Sequence, residues 1–180
     1  MGLLLRVLSL VSISTPTWLH ALVAYLLEIP SLIAVVLPAL LSIALWSLVS
    51  RVVSLRELAL PFLYGTSLSV TFSYWQEIDG VLTLHMLAGY FLLCVLLPRS
   101  DRPTWVHAYG LSFFSLLAAD VWCAMQRDIA QFGYLRPEFY LGVGGAGFCD
   151  DLFILPIATA ATLLVLGLIE VPLSSRPSSR

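Results

Sequence analysis

Residues 150–170 read DDLFILPIATAATLLVLGLIE. Two carboxylates open a run of mostly apolar residues, and a third acid closes it. A helix from Asp151 to near Glu170 has about the 20 residues needed to cross a bilayer. Asp150 is placed to cap it and Asp151 to begin it, with both charges at the positive end of the helix dipole. Pro156, just inside, is expected to bend the helix. The preceding segment, Tyr140 to Phe148, carries four Gly in nine residues, a poor helix interior. It reads as an external or re-entrant loop, tolerated at membrane depth only where protein or water covers its backbone.

Working outward, apolar runs recur along the 180 residues. The spans predicted are Val7 to Leu27, Ser31 to Ser50, Leu58 to Trp75, Val81 to Pro98 and Thr104 to Met125, with the last inside Phe139 to Ile169. The breaks are polar: Glu28-Ile29-Pro30, Arg51 to Glu57, Gln76 to Gly80, and Arg99 to Pro103. The first run is divided by Arg6 and by Ser14-Thr15-Pro16-Thr17. Read as a signal peptide or an interfacial helix, it leaves five spans. Composition agrees. Hydrophobic residues make up 59% and charged residues 11%, with mean hydropathy +0.94. Soluble domains hold about 45–50% apolar and about 25% charged residues. The expected fold is therefore an all-α transmembrane bundle of about six spans. Residues 1–173 form a single domain, and residues 174–180 a short polar tail.

All nine basic residues are Arg, and six spans divide them unequally. Arg6, Arg51, Arg56, Arg99, Arg102, Arg176 and Arg180 fall on one side; Arg127 and Arg136 fall on the other. The positive-inside rule then places both termini in the cytoplasm. A bacterial plasma (inner) membrane is the expected location. The net charge of −2 gives no reason to expect a nucleic-acid partner. Lipid is the first partner. Small loops point further to a homo-oligomer or another membrane subunit. Trp18, Trp75, Trp105, Trp122 and Tyr134 lie where aromatic belts are expected.

Ionisable residues inside a membrane are costly and point to function. His20, His85, Asp120, Asp150 and Asp151 are expected at similar depth in the extracytoplasmic half, and His107 near the opposite face. Asp120 has no local partner in Ala118 to Trp122; Arg127 or Arg136 could pair with it. Asp150 and Asp151 have a purely structural reading as helix caps. Asp120, Asp150 and Asp151 are the catalytic candidates, and with His85 and His20 they are the ligand-binding candidates. His85 with Asp120 and Asp150 offers mixed donors for a cation, but no ligand spacing supports a metal.

Three functions compete. The first is a non-enzymatic channel or transporter component, or a membrane-complex subunit, with a polar outer site. The second is an intramembrane hydrolase using paired Asp carboxylates as acid and base. Intramembrane aspartyl proteases place Gly-x-Gly directly before Asp; here Phe148-Cys149 intervene between Gly147 and Asp150. The third is a redox subunit with haem between His20 and His85. Cys123 and Cys149 could form a disulfide on the oxidising side, and Cys94 lies in an apolar span. Gly65 to Ser69 and Ala158 to Ala161 are small enough for close helix contact.

Overall fold

The computed structural model describes residues 17–48, 55–78, 81–96, 104–136, 139, 140, 143, 144 and 146–174. The first half of the expected first span, residues 7–16, and the tail beyond 174 lie outside them. The described chain is mostly helical. Its helices are α1 (Thr17–Leu26), α2 (Ile29–Leu48), α3 (Leu55–Thr71), α4 (Gly89–Leu96), α5 (Trp105–Phe132) and α6 (Asp151–Ser174). Strands β1 (Tyr74–Ile78) and β2 (Val81–His85) form an antiparallel hairpin between α3 and α4.

Three helical segments are long and apolar enough to cross a membrane: Ile29–Leu48, Trp105–Phe132 and Asp151–Ile169. The six spans expected from hydropathy are thus only partly recovered. α3 has 17 residues and is a shorter apolar helix. The expected fourth span, Val81 to Pro98, divides into strand β2 and the eight residues of α4. The expected turn at Gln76 to Gly80 is largely strand. The register pairs Ile78 with Val81, leaving Asp79-Gly80 between the strands. Asp-Gly at that position is a strong signal for a two-residue hairpin loop.

Local chemistry explains the helix ends. α2 begins with Pro30 in its first turn, where a missing N–H costs nothing. A π-helical stretch, Leu32–Val36, precedes Pro38, which has no N–H for the carbonyl four residues back. α5 starts at Thr104, whose hydroxyl accepts the His107 backbone N–H and meets His107 Nδ1 at 2.8 Å. It runs past the expected Met125 and stops at Gly133, which has φ +78° and donates its N–H to the Ile129 carbonyl.

α5 is the central helix. The Thr66 hydroxyl donates to the Ser115 carbonyl and the Ser115 hydroxyl to the Phe62 carbonyl, and further on Ser73, just past α3, meets Cys123, so α3 runs parallel to α5. Ser112 Oγ meets Thr159 Oγ1 at 3.3 Å on the antiparallel α6. The Trp46 ring lies against Gly110 and packs on Phe114 at 5.7 Å. α4 crosses α3 at small residues. A Cβ on Gly89 would lie 2.6 Å from Leu68 Cβ and 2.7 Å from the Gly65 carbonyl oxygen. The expected close contact at Gly65 to Ser69 is therefore present.

The interior and exterior are sorted as lipid would sort them. Ser42, Ser69, Ser112, Ser115, Thr159, Ala108 and Ala119 are buried. Leu40, Ile43, Leu48, Ile154, Ile157, Leu164, Leu168 and Ile169 are exposed. Small and hydroxyl residues bring membrane helices together, while large aliphatic residues face the chains. Such an apolar exterior on a soluble monomer would be anomalous.

Candidate functional site: a carboxylate cluster at the head of α6

α5 carries Asp120 at 8% exposure. Phe113 and Leu116 of the same helix pack with Val143 of the loop and Leu152 of α6 in one buried apolar cluster. Asp120 receives a backbone hydrogen bond from Gly144. That donor is held in place by constraints only glycine meets. Gly144 has φ +73°, and a Cβ there would lie 2.5 Å from Val35 Cγ2.

The loop is fixed from other directions too. The Tyr25 hydroxyl of α1 donates to the Val143 carbonyl at 2.6 Å, and its ring packs on Tyr140 at 5.7 Å. A short turn, Gly147–Cys149, then delivers the chain to Asp150. Asp150 adopts extended geometry, and its Oδ1 accepts the Leu152 N–H at 2.9 Å. Its Oδ2 accepts the Ala146 N–H at 3.2 Å. The expected cap and helix start are both present. Asp151 is the first helical residue, and its Oδ2 accepts the Met86 N–H at 3.4 Å, tying the site to the segment after β2.

The three carboxylates are close enough for their charges to interact. Burial pushes the Asp150 carboxyl above its ordinary range, with the Asp151 charge acting in the same direction. The backbone donors Leu152 and Ala146 oppose this shift.

The other expected site residues are not gathered in the same way. The His85 ring stacks on Tyr74 across the hairpin, with centroids 5.2 Å apart and an interplanar angle of 19°. The neighbouring Met86 backbone reaches the cluster. His20 belongs to α1, and its side chain lies outside what the structure describes. Among the described residues, no group of three or more His, Cys, Asp or Glu is arranged to hold a metal ion.

Two expected pairings are corrected. Arg136 does not serve Asp120; its guanidinium pairs with Asp128 at 2.7 Å, and its backbone N–H donates to the same carboxylate at 2.6 Å. The αL turn at Gly133 folds the chain back to make this local closure. Arg127 lies over the Trp75 ring at 4.7 Å. The Cys123–Cys149 disulfide that the sequence left possible is also absent. Both thiols are free, with Cys123 buried 3.3 Å from Ser73 Oγ and Cys149 exposed. Sequence reading found the three carboxylates but missed Gly144, Tyr25 and Met86. The glycine-rich composition marked the loop without showing which N–H would meet Asp120.

Comparison with family models, with curated proteins and with solved structures finds no match to this chain.

Proposed function

We propose that the protein is a non-enzymatic membrane component: a channel or transporter subunit, or a subunit of a larger membrane complex. Its working site is the carboxylate cluster in the extracytoplasmic half of a plasma membrane, with both termini cytoplasmic. The carrying observation is the arrangement around Asp120. This carboxylate is buried in a candidate span, beside two others, and among the described residues no Arg is paired with it. Charge in such a place calls for a proton or a cation drawn from outside. The Arg distribution is the support for the orientation: on the six-span reading seven Arg fall on one side, and only Arg127, on α5, and Arg136, four residues past its end, fall on the other.

Hydrolysis is the less favoured reading. An acid/base pair needs carboxyl oxygens free to meet water and substrate. Both Asp150 oxygens already accept backbone N–H groups, and one Asp151 oxygen does the same. One of these bonds caps α6, and the other two tie down the chain segments around it.

The test is cation or proton uptake by native membrane vesicles, which retain any partner subunit, from cells expressing the wild-type chain or Asp120→Asn. A charged hydrogen-bonding contact is worth about 1.5–3 kcal/mol, so its loss should weaken cation engagement roughly 10- to 100-fold. Expression should be unchanged. Unaltered uptake in the variant would sink the proposal. Native mass in mild detergent separates a self-contained oligomer from a subunit carrying another polypeptide.

A further inference from the structure

A second polar feature lies away from the carboxylates. A cavity of about 690 Å³ opens between the start of the hairpin and the last turns of α5. Val70, Ser73 and Trp75 form one wall; Gln126, Arg127 and Gln131 form the other. Its volume is within the roughly 300–1,000 Å³ range of small-ligand sites.

Position along α5 gives the setting. Its 28 residues extend about 42 Å at 1.5 Å per residue. That exceeds the ~30 Å hydrocarbon core, so α5 extends out of it at the hairpin end, past the level at which α6 begins. Arg127 is seven residues beyond Asp120, about 10 Å further out along the axis. The cavity therefore sits at headgroup level, with Trp75 as an interfacial aromatic.

Charge gives the chemistry. Arg136 neutralises Asp128 through a bidentate contact. Arg127 has no ion-pair partner among the described residues, and it lines the cavity. Its guanidinium lies 4.7 Å above the Trp75 ring centroid. Stacking on an indole face restrains the guanidinium plane and keeps the charge. The side-chain amides of Gln126 and Gln131 add neutral donors on the same wall. The Ser73 hydroxyl already donates to the Val70 carbonyl at 2.8 Å, so it is not counted. One forked cation with two amides suits a phosphate oxygen set better than a neutral ligand.

We propose that this cavity binds a phosphate group, with Arg127 as its charged ligand and Gln126 and Gln131 as supporting donors. At headgroup depth the natural bearer is an anionic phospholipid, and free phosphate shares the same chemistry. The full chain in uncharged detergent is melted with short-chain phosphatidylglycerol, with phosphate-free diacylglycerol, or with inorganic phosphate against a chloride control. At a hundredfold excess over Kd, phosphatidylglycerol should raise the apparent Tm by about 5–10 °C. Diacylglycerol should not.

A rise with inorganic phosphate as well supports the site and assigns it to the phosphate group alone. A rise with phosphatidylglycerol only supports it as a lipid site. Arg127→Gln should abolish either rise. Gln131→Leu, on an exposed helix surface, should weaken binding roughly fivefold by loss of one hydrogen bond, and keeps the test open if Arg127→Gln does not fold. Three results would overturn the proposal: no rise with either phosphate compound, an equal rise with diacylglycerol, or an undiminished rise in the variants.

Discussion

Replacing Asp150 by Ala and by Asn separates two effects that the carboxylate combines. One is capping. Oδ1 holds the Leu152 N–H at 2.9 Å and Oδ2 the Ala146 N–H at 3.2 Å. Alanine loses both bonds, and loss of an N-cap costs about 0.5–2 kcal/mol, typically near 1. Ala146 is exposed, so water replaces its lost acceptor and adds little to that figure. A loss near 1 kcal/mol lowers the apparent Tm of a chain this size by roughly 2–4 °C. Asparagine keeps one acceptor oxygen for Leu152 and should lose less than alanine.

The second effect is charge. Burial, and then Asp151, raise the Asp150 carboxyl above its ordinary 3.8. The folded state then binds more protons than the unfolded state between 3.8 and the raised value. Stability from this group is therefore highest in acid. It falls as pH rises through that window, and the penalty is constant above it. Asn cannot ionise and removes the slope. The assay is apparent Tm in detergent for wild type and both variants from about pH 3.5 to 7.5. The wild type should lose ground to Asp150→Asn as pH rises. Equal losses in Ala and Asn at every pH would refute the cap argument. A wild-type slope retained in Asn would refute the burial argument.

Two further predictions test the packing. Gly89→Ala places a Cβ within 2.8 Å of Leu68 Cβ, the Gly65 carbonyl and Ser69 N. Overpacking of this kind costs about 1–3 kcal/mol and should lower the unfolding temperature; a neutral substitution would mean that α3 and α4 do not cross so closely. The buried Ser112–Thr159 contact at 3.3 Å should show a coupling of about 0.6 kcal/mol in a double-mutant cycle with Ala and Val, the usual scale for hydroxyls between membrane helices. Strict additivity would remove that bond from the α5–α6 interface.

What could be read in advance followed from how local each signal is. The Asp150 cap and the Asp151 start rest on adjacent residues and chain geometry, so the sequence carries them directly. The end of α5 was equally available, because Gly133 is a stop signal, but the apolar run faded earlier and drew the boundary to Met125. The hairpin was missed for the opposite reason. Val81-Leu82-Thr83-Leu84 is apolar and short, and periodicity does not separate a strand from a buried helix in such a run. Asp79-Gly80 was the better guide. Asp120 shows the sharper limit. Side-chain logic directed attention to Arg127 and Arg136, whereas the observed donor is the Gly144 backbone N–H. Every residue but proline has such a donor, so composition cannot single one out.

The depth of the cluster bears on how it could work. α6 begins where α5 has reached Asp120, and α5 then continues for 12 more residues, about 18 Å. In the proposed orientation the carboxylates therefore stand near the outer boundary of the hydrocarbon. Inward, the next polar pair along the α5–α6 seam is Ser112 with Thr159, eight residues or about 12 Å away. Phe113, Leu116 and Leu152 lie between, each at 1% exposure or less. A cation crossing through this chain alone would have to displace that apolar layer, which is packed at protein density and does not yield continuously. A cluster closed on its inward side favours a component whose carboxylates work together with a partner or a second copy. The partner would then supply the rest of the route, and the Asp120→Asn defect should appear with the assembled complex and vanish in vesicles holding the isolated chain.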